Sequence, residues 1–127
     1  MIKYTLMFAG CSALIAVVLG AFGAHGLRNR VEPTQLHAWE TAVNYQFVHA
    51  LAMLALGLVI AQFGRSTLFL YSSIAFAAGT ILFSGSLYLL VTVGLRWLGP
   101  VTPVGGLCFI VGWGLFIAGV AQMEFDR

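Results

Sequence analysis

Residues 4–24 contain no charged side chain, and at about 1.5 Å of rise per residue a helix of that length crosses the roughly 30 Å hydrocarbon core of a bilayer. Three more apolar runs follow, at residues 33–63, 67–93 and 104–122, with Glu40 the one carboxylate among them. None of these runs alternates polar with apolar residues, which excludes the strands of a membrane barrel. The fold class predicted is therefore all-α, a compact bundle of four transmembrane helices connected up and down in antiparallel order. It forms one integral membrane domain over residues 1–127. Composition points the same way, with 61% apolar and 8% charged residues against about 25% charged in soluble domains. Lys3 ahead of an apolar run, with Ala21 and Gly23 near its end, has the outline of a signal peptide. The run exceeds the usual h-region, however, and is expected to persist as the first helix.

The breaks between runs are short. His25 to Pro33 holds Arg28, Arg30 and Glu32, and Pro33 or Thr34 suits a first helical turn. Gly64-Arg65-Ser66 is long enough only to join antiparallel neighbours, and Gly94 to Pro103 makes the last turn. The second run, about 45 Å long as a helix, should leave its first turns in the interface, where His37 and Glu40 meet water. Trp39 and Trp97 fit as interface anchors, and Trp113 fits in the core. Cys11 and Cys108 fall near opposite faces, too far apart for a disulfide, and are expected to be small core residues. Orientation is undecided: Lys3, Arg65 and Arg127 oppose Arg28, Arg30 and Arg96, so the positive-inside rule is tied. A formal charge of +2 without a basic cluster argues against nucleic acid.

Small residues mark close helix approaches. Ser12, Ala16, Gly20 and Ala24 recur every four residues in the first run, and Gly105, Gly112 and Gly119 every seven in the fourth, with Cys108 on the same seam. Ala75 and Gly79 offer a shorter version in the third. Such faces serve packing within the bundle or homo-oligomerisation.

Antiparallel threading gathers polar residues toward the side that bears the first and third connections, termed side B. His25 ends the first helix there, Tyr45, Gln46 and His49 leave it on the second, Ser84, Ser86 and Tyr88 approach it on the third, and Thr102 starts the fourth. These eight residues are the candidate site. His49 follows Gln46 by three residues on one helical face, and in hydrocarbon it needs a partner, which Ser84, Ser86 or Tyr88 could supply. Two readings stay open. In one, His49 is an interhelical clamp; in the other, it is an intramembrane proton carrier or a metal or cofactor ligand, with His25 paired across a cavity. His25 also suits the helix C-terminal dipole without any such role. Ser84 and Ser86 lie on different helical faces, so only one is expected to point inward.

No reaction motif is present. Ser84-Gly85-Ser86 lacks the strand-turn-helix setting and the carboxylate of a nucleophile elbow, Gly105-Gly106 lacks the lysine of a phosphate loop, and the histidines, twelve residues apart each time, show no zinc spacing. No cofactor is identified; two histidines could hold haem, but nothing beyond their number favours it. The reading is a non-enzymatic membrane protein that binds a lipid, a membrane-protein partner or its own copy. The alternative is a redox or transport component using His49 and His25. A hydrolase is disfavoured for want of a paired acid and base.

Particular segments also carry a resemblance. Gly20-Ala21-Phe22-Gly23-Ala24-His25-Gly26-Leu27, Trp39-Glu40-Thr41-Ala42-Val43-Asn44-Tyr45-Gln46 with His49-Ala50-Leu51, Phe83-Ser84-Gly85-Ser86-Leu87-Tyr88, and Thr102-Pro103-Val104-Gly105-Gly106 through Gly112-Trp113 resemble, in order, the YgdD-like family of small membrane proteins, a domain of unknown function. The resemblance covers nearly the whole chain. It implies a four-span, multi-pass protein of the bacterial inner membrane and supplies no activity, ligand or catalytic residue.

Overall fold

Each apolar run is a helix because a backbone in lipid must satisfy its own hydrogen bonds. The computed structural model describes residues 2–124. Four helices long and apolar enough to span a membrane result: α1 (Ile2–Leu27), α2 (Pro33–Phe63), α3 (Thr67–Thr92) and α4 (Val101–Ala121), the last preceded by a short 3-10 turn at Arg96–Leu98. Glu32 caps α2 ahead of Pro33, with its backbone N–H donating to Gln35 Oε1 at 3.3 Å, the reciprocal arrangement of a capping box. Gly64 and Gly94 end α2 and α3 at φ +94° and +75°, left-handed values that glycine adopts without strain. Because α4 begins at Val101, Thr102 and Pro103 belong to its first turn and not to the preceding connection.

Two helices depart locally from α geometry. The end of α1 is a π turn over Gly23–Leu27, and α3 carries another at Thr80–Ser84. Helix α1 packs on α2, α3 packs on α4, and the pairs join where α2 meets α3. The core among the described residues centres on Met53, Leu56, Phe69, Phe76 and Phe109.

The α3–α4 seam is an antiparallel zipper. Phe69, Phe76 and Phe83 are spaced by seven residues, as are Gly105, Gly112 and Gly119, and each phenylalanine faces one glycine. A Cβ added at Gly119, Gly112 or Gly105 would meet Phe69, Phe76 or Phe83 well inside van der Waals contact. In the reverse sense Gly79 receives Phe109. Ser72 adds a hydrogen bond to the Gly112 carbonyl at 2.7 Å. The seven-residue glycine seam is thus an intramolecular packing face, and all three of its glycines are buried.

Several expectations change here. Trp39 is 3% exposed; its ring lies against Gly23, where no side chain intervenes, and its indole donates to the Leu19 carbonyl at 2.8 Å. It is a clamp between α1 and α2 and not an interface anchor, whereas Trp97 is exposed. Trp113 is partly exposed, not core. Cys11 faces outward and Cys108 is half-buried, because only part of each helix circumference meets protein. Of the four-residue face on α1, Ser12 and Ala16 are buried but Ala24 is exposed, because on the π turn Gly23 and Leu27 take the buried positions and Gly23 meets Trp39 of α2 instead.

Candidate functional site

Helix α2 is the hub of the polar groups, and its two buried polar residues turn to different neighbours. Gln46 donates through Nε2 to the Ser12 carbonyl of α1 at 2.9 Å and accepts from the Tyr88 hydroxyl of α3 at 2.6 Å. A carbonyl only accepts, so this pair of partners fixes which end of the amide faces α1. His49 turns toward α4. Its Nδ1 lies 2.8 Å from the carbonyl of Tyr45, and its Nε2 accepts from the Trp113 indole N–H at 3.0 Å. Those two partners require the neutral tautomer with the proton on Nδ1. Its ring stacks on Phe109 with centroids 3.7 Å apart.

The eight candidates therefore do not form one cluster. Neither Ser84, Ser86 nor Tyr88 partners His49. Ser84 donates to the Ala42 carbonyl of α2 at 2.7 Å, while Ser86 pairs with Thr102 of α4 at 2.6 Å. Both serines are buried, at 1% and 4% exposure, because α3 lies between α2 and α4 and two of its faces meet protein. Tyr45 is exposed beside His49, with ring centroids 6.0 Å apart. His25 is exposed on the π turn of α1, and among the described residues no hydrogen bond or ring contact joins it to His49. His37 and Glu40 are exposed. No group of three His, Cys, Asp or Glu residues placed to hold a metal occurs among the described residues.

Two lateral clefts flank α2. One, of about 560 Å³, opens between α2 and α4 and is lined by Tyr45, His49, Phe83, Pro103, Gly106, Leu107, Phe109, Ile110 and Trp113. The other, of about 340 Å³, opens between α1 and α3 over a floor that includes Ser12, Gln46, Thr80 and Tyr88. Residues missed at the sequence level belong mostly to this second side: the Ser12 hydroxyl, and the Thr5–Ser73 hydroxyl pair at 3.0 Å joining α1 to α3. Their signal was present, since each is a small hydroxyl residue inside an apolar run, where it must find a partner or line a cavity.

Interhelical hydrogen bonds across four spans define a multi-pass integral membrane protein. Residues 19–106 match the family described as "Protein of unknown function (DUF423)". The chain is 42% identical over 123 residues to the UPF0382 inner membrane protein YgdD of Escherichia coli strain K12, covering 96% of this chain and 92% of that one. It is 38% identical over 121 residues to the UPF0382 membrane protein SSP2132 of Staphylococcus saprophyticus (95% and 99% covered), and 39% over 124 to SAB0533 of Staphylococcus aureus (97% and 98%). No solved structure matches. The chain belongs to this DUF423 (UPF0382) family and is a protein of the bacterial inner, or cytoplasmic, membrane.

Proposed function

We propose that this chain is a non-enzymatic lipid-binding protein whose binding element is the cleft between α2 and α4, holding an acyl chain from the surrounding bilayer. The observation that carries the reading is the pairing state of the cleft. Its imidazole and indole are already spent, on each other and on the Tyr45 carbonyl, and the rest of the wall is mostly aliphatic and aromatic. Such a surface offers dispersion contact to an apolar chain and no free base for chemistry. Its volume of about 560 Å³ falls within the roughly 300–1,000 Å³ of small-ligand sites. The same pairing disfavours His49 as a cofactor ligand or proton relay, since its one lone pair is engaged.

Gly106 allows a direct test. A Cβ there would stand 3.9 Å from the Phe83 ring, so Gly106→Leu extends into the cleft without a backbone clash. Native mass spectrometry of protein released from nanodiscs should show lipid retained by the wild type and lost from Gly106→Leu. Equal retention by both would sink the proposal.

A further inference from the structure

On the opposite side of α2, the groove between α1 and α3 differs from the α2–α4 cleft in one chemical respect: it retains unspent hydrogen-bond donors. Ser12 is 5% exposed, and its hydroxyl is the one buried side-chain polar atom without a hydrogen-bond partner among the described residues. Beside it, Gln46 Nε2 carries two N–H groups, and the single bond made by that nitrogen is to the Ser12 carbonyl. The Gln46 carbonyl, in contrast, already accepts from Tyr88. The floor of this groove therefore lies directly over surplus donors, the Ser12 hydroxyl itself having no open surface, in a place without water, where an unpaired polar group costs several kcal/mol.

We infer that the α1–α3 groove binds an amphiphile through a carbonyl oxygen, which accepts from the second Gln46 N–H and from the Ser12 hydroxyl once that side chain turns about its Cα–Cβ bond to face the groove. The depth of the floor narrows the source. Ser12 stands ten residues into the 26-residue helix α1, which places it about 4 Å from the helix midpoint. Ester carbonyls of bilayer phospholipids lie at the edge of the hydrocarbon core, about 15 Å from the midplane. A carbonyl that reaches Ser12 belongs to a molecule whose polar part enters the bilayer interior, which is the property of a lipid-soluble quinone. Binding is the whole of the inference, and no electron transfer is involved. This site shares neither its wall nor its donors with the α2–α4 cleft, so either can fail alone.

The experiment uses the full chain in nanodiscs of diether phosphatidylcholine, which contain no ester carbonyls, and follows the thermal midpoint on titration with decylubiquinone. A parallel arm titrates diester phosphatidylglycerol, and a third its diether analogue. Two variants accompany the wild type. Ser12→Ala removes the donor, and Gly85→Leu fills the groove from a position where an added Cβ meets nothing within 4 Å. The expected result is a saturable stabilisation of the wild type by decylubiquinone, an apparent affinity about three- to tenfold weaker in Ser12→Ala, and none in Gly85→Leu. Stabilisation by the diester but not the diether lipid supports the carbonyl site and assigns it to phospholipid esters. No saturable response to either carbonyl compound, or equal responses in all three proteins, overturns the inference. So does a Ser12→Ala protein that is simply more stable with an unchanged affinity. A cooperative thermal transition without added ligand, measured on the same variants, shows that each is folded.

Discussion

The indole N–H of Trp113 and Nε2 of His49 stand 3.0 Å apart, a bond from α4 to α2 between residues 64 positions apart in sequence. It matters because the other ring nitrogen is held by the Tyr45 carbonyl, so a second ring proton would find the indole N–H in the place of an acceptor. On this geometry the histidine bridges α2 and α4 and forms part of the cleft wall.

If so, His49→Leu and Trp113→Phe are coupled. Each single variant should lose about 1–2 kcal/mol, the upper range for hydrogen bonds within membranes, together with ring contacts to Phe109 and Phe76. The double variant should lose less than the sum, since the bond can be removed only once. Reversible unfolding in mixed micelles measures the cycle. Strict additivity would mean that the 3.0 Å contact contributes nothing.

The phenylalanine–glycine zipper between α3 and α4 gives a position-specific expectation. A Cβ at Gly105 would strike the backbone of Phe83, which cannot rotate away, whereas one at Gly114 meets nothing within 4 Å. Gly105→Ala should cost about 3 kcal/mol through overpacking, while Gly114→Ala should stay within about 0.5 kcal/mol of wild type. Thermal midpoints of the two purified variants decide the matter, and similar values would contradict this packing.

How far the sequence revealed these features depends on whether the information was local. Helix identity was legible because hydrocarbon leaves the backbone no alternative. The seven-residue glycine repeat of α4 was equally visible. Its partner repeat was not: Phe69, Phe76 and Phe83 sit among ten phenylalanines, and nothing local separates a buried knob from Phe47, which faces outward. The three-residue spacing of Gln46 and His49 predicted a shared face but not which helix each residue meets, since α2 touches α1, α3 and α4. The burial of Trp39 is hidden in the sequence for the same reason. Its polar nitrogen suits an interface, but the space that buries it is made by Gly23 on another helix.

Gln46 ties α1 to α3, so its loss should exceed that of either partner. Tyr88→Phe removes one bond and leaves the Gln46 carbonyl unpaired, for an expected cost of about 1 kcal/mol. Gln46→Met keeps the volume but removes both bonds, leaving the Tyr88 hydroxyl without an acceptor, for about 2 kcal/mol. Once Gln46 is methionine, adding Tyr88→Phe should recover stability, because the stranded hydroxyl is then gone. A further loss in the double variant would show that the 2.6 Å bond is not what Tyr88 contributes.

Topology supplies the last prediction. Four spans put both termini on one side of the membrane, the side that also carries the turn at Gly64, Arg65 and Ser66. The basic residues are balanced three against three in the sequence, so nothing in the short connections opposes a small added bias. Two lysines inserted next to Arg65 should hold that turn and both termini in the cytoplasm, whereas two inserted next to Arg28 should hold the opposite face there. Paired cytoplasmic and periplasmic reporters fused to each terminus read the outcome. Termini on opposite sides would contradict the four-span bundle itself, and an orientation indifferent to both insertions would mean that something other than the loop charges sets the direction of insertion.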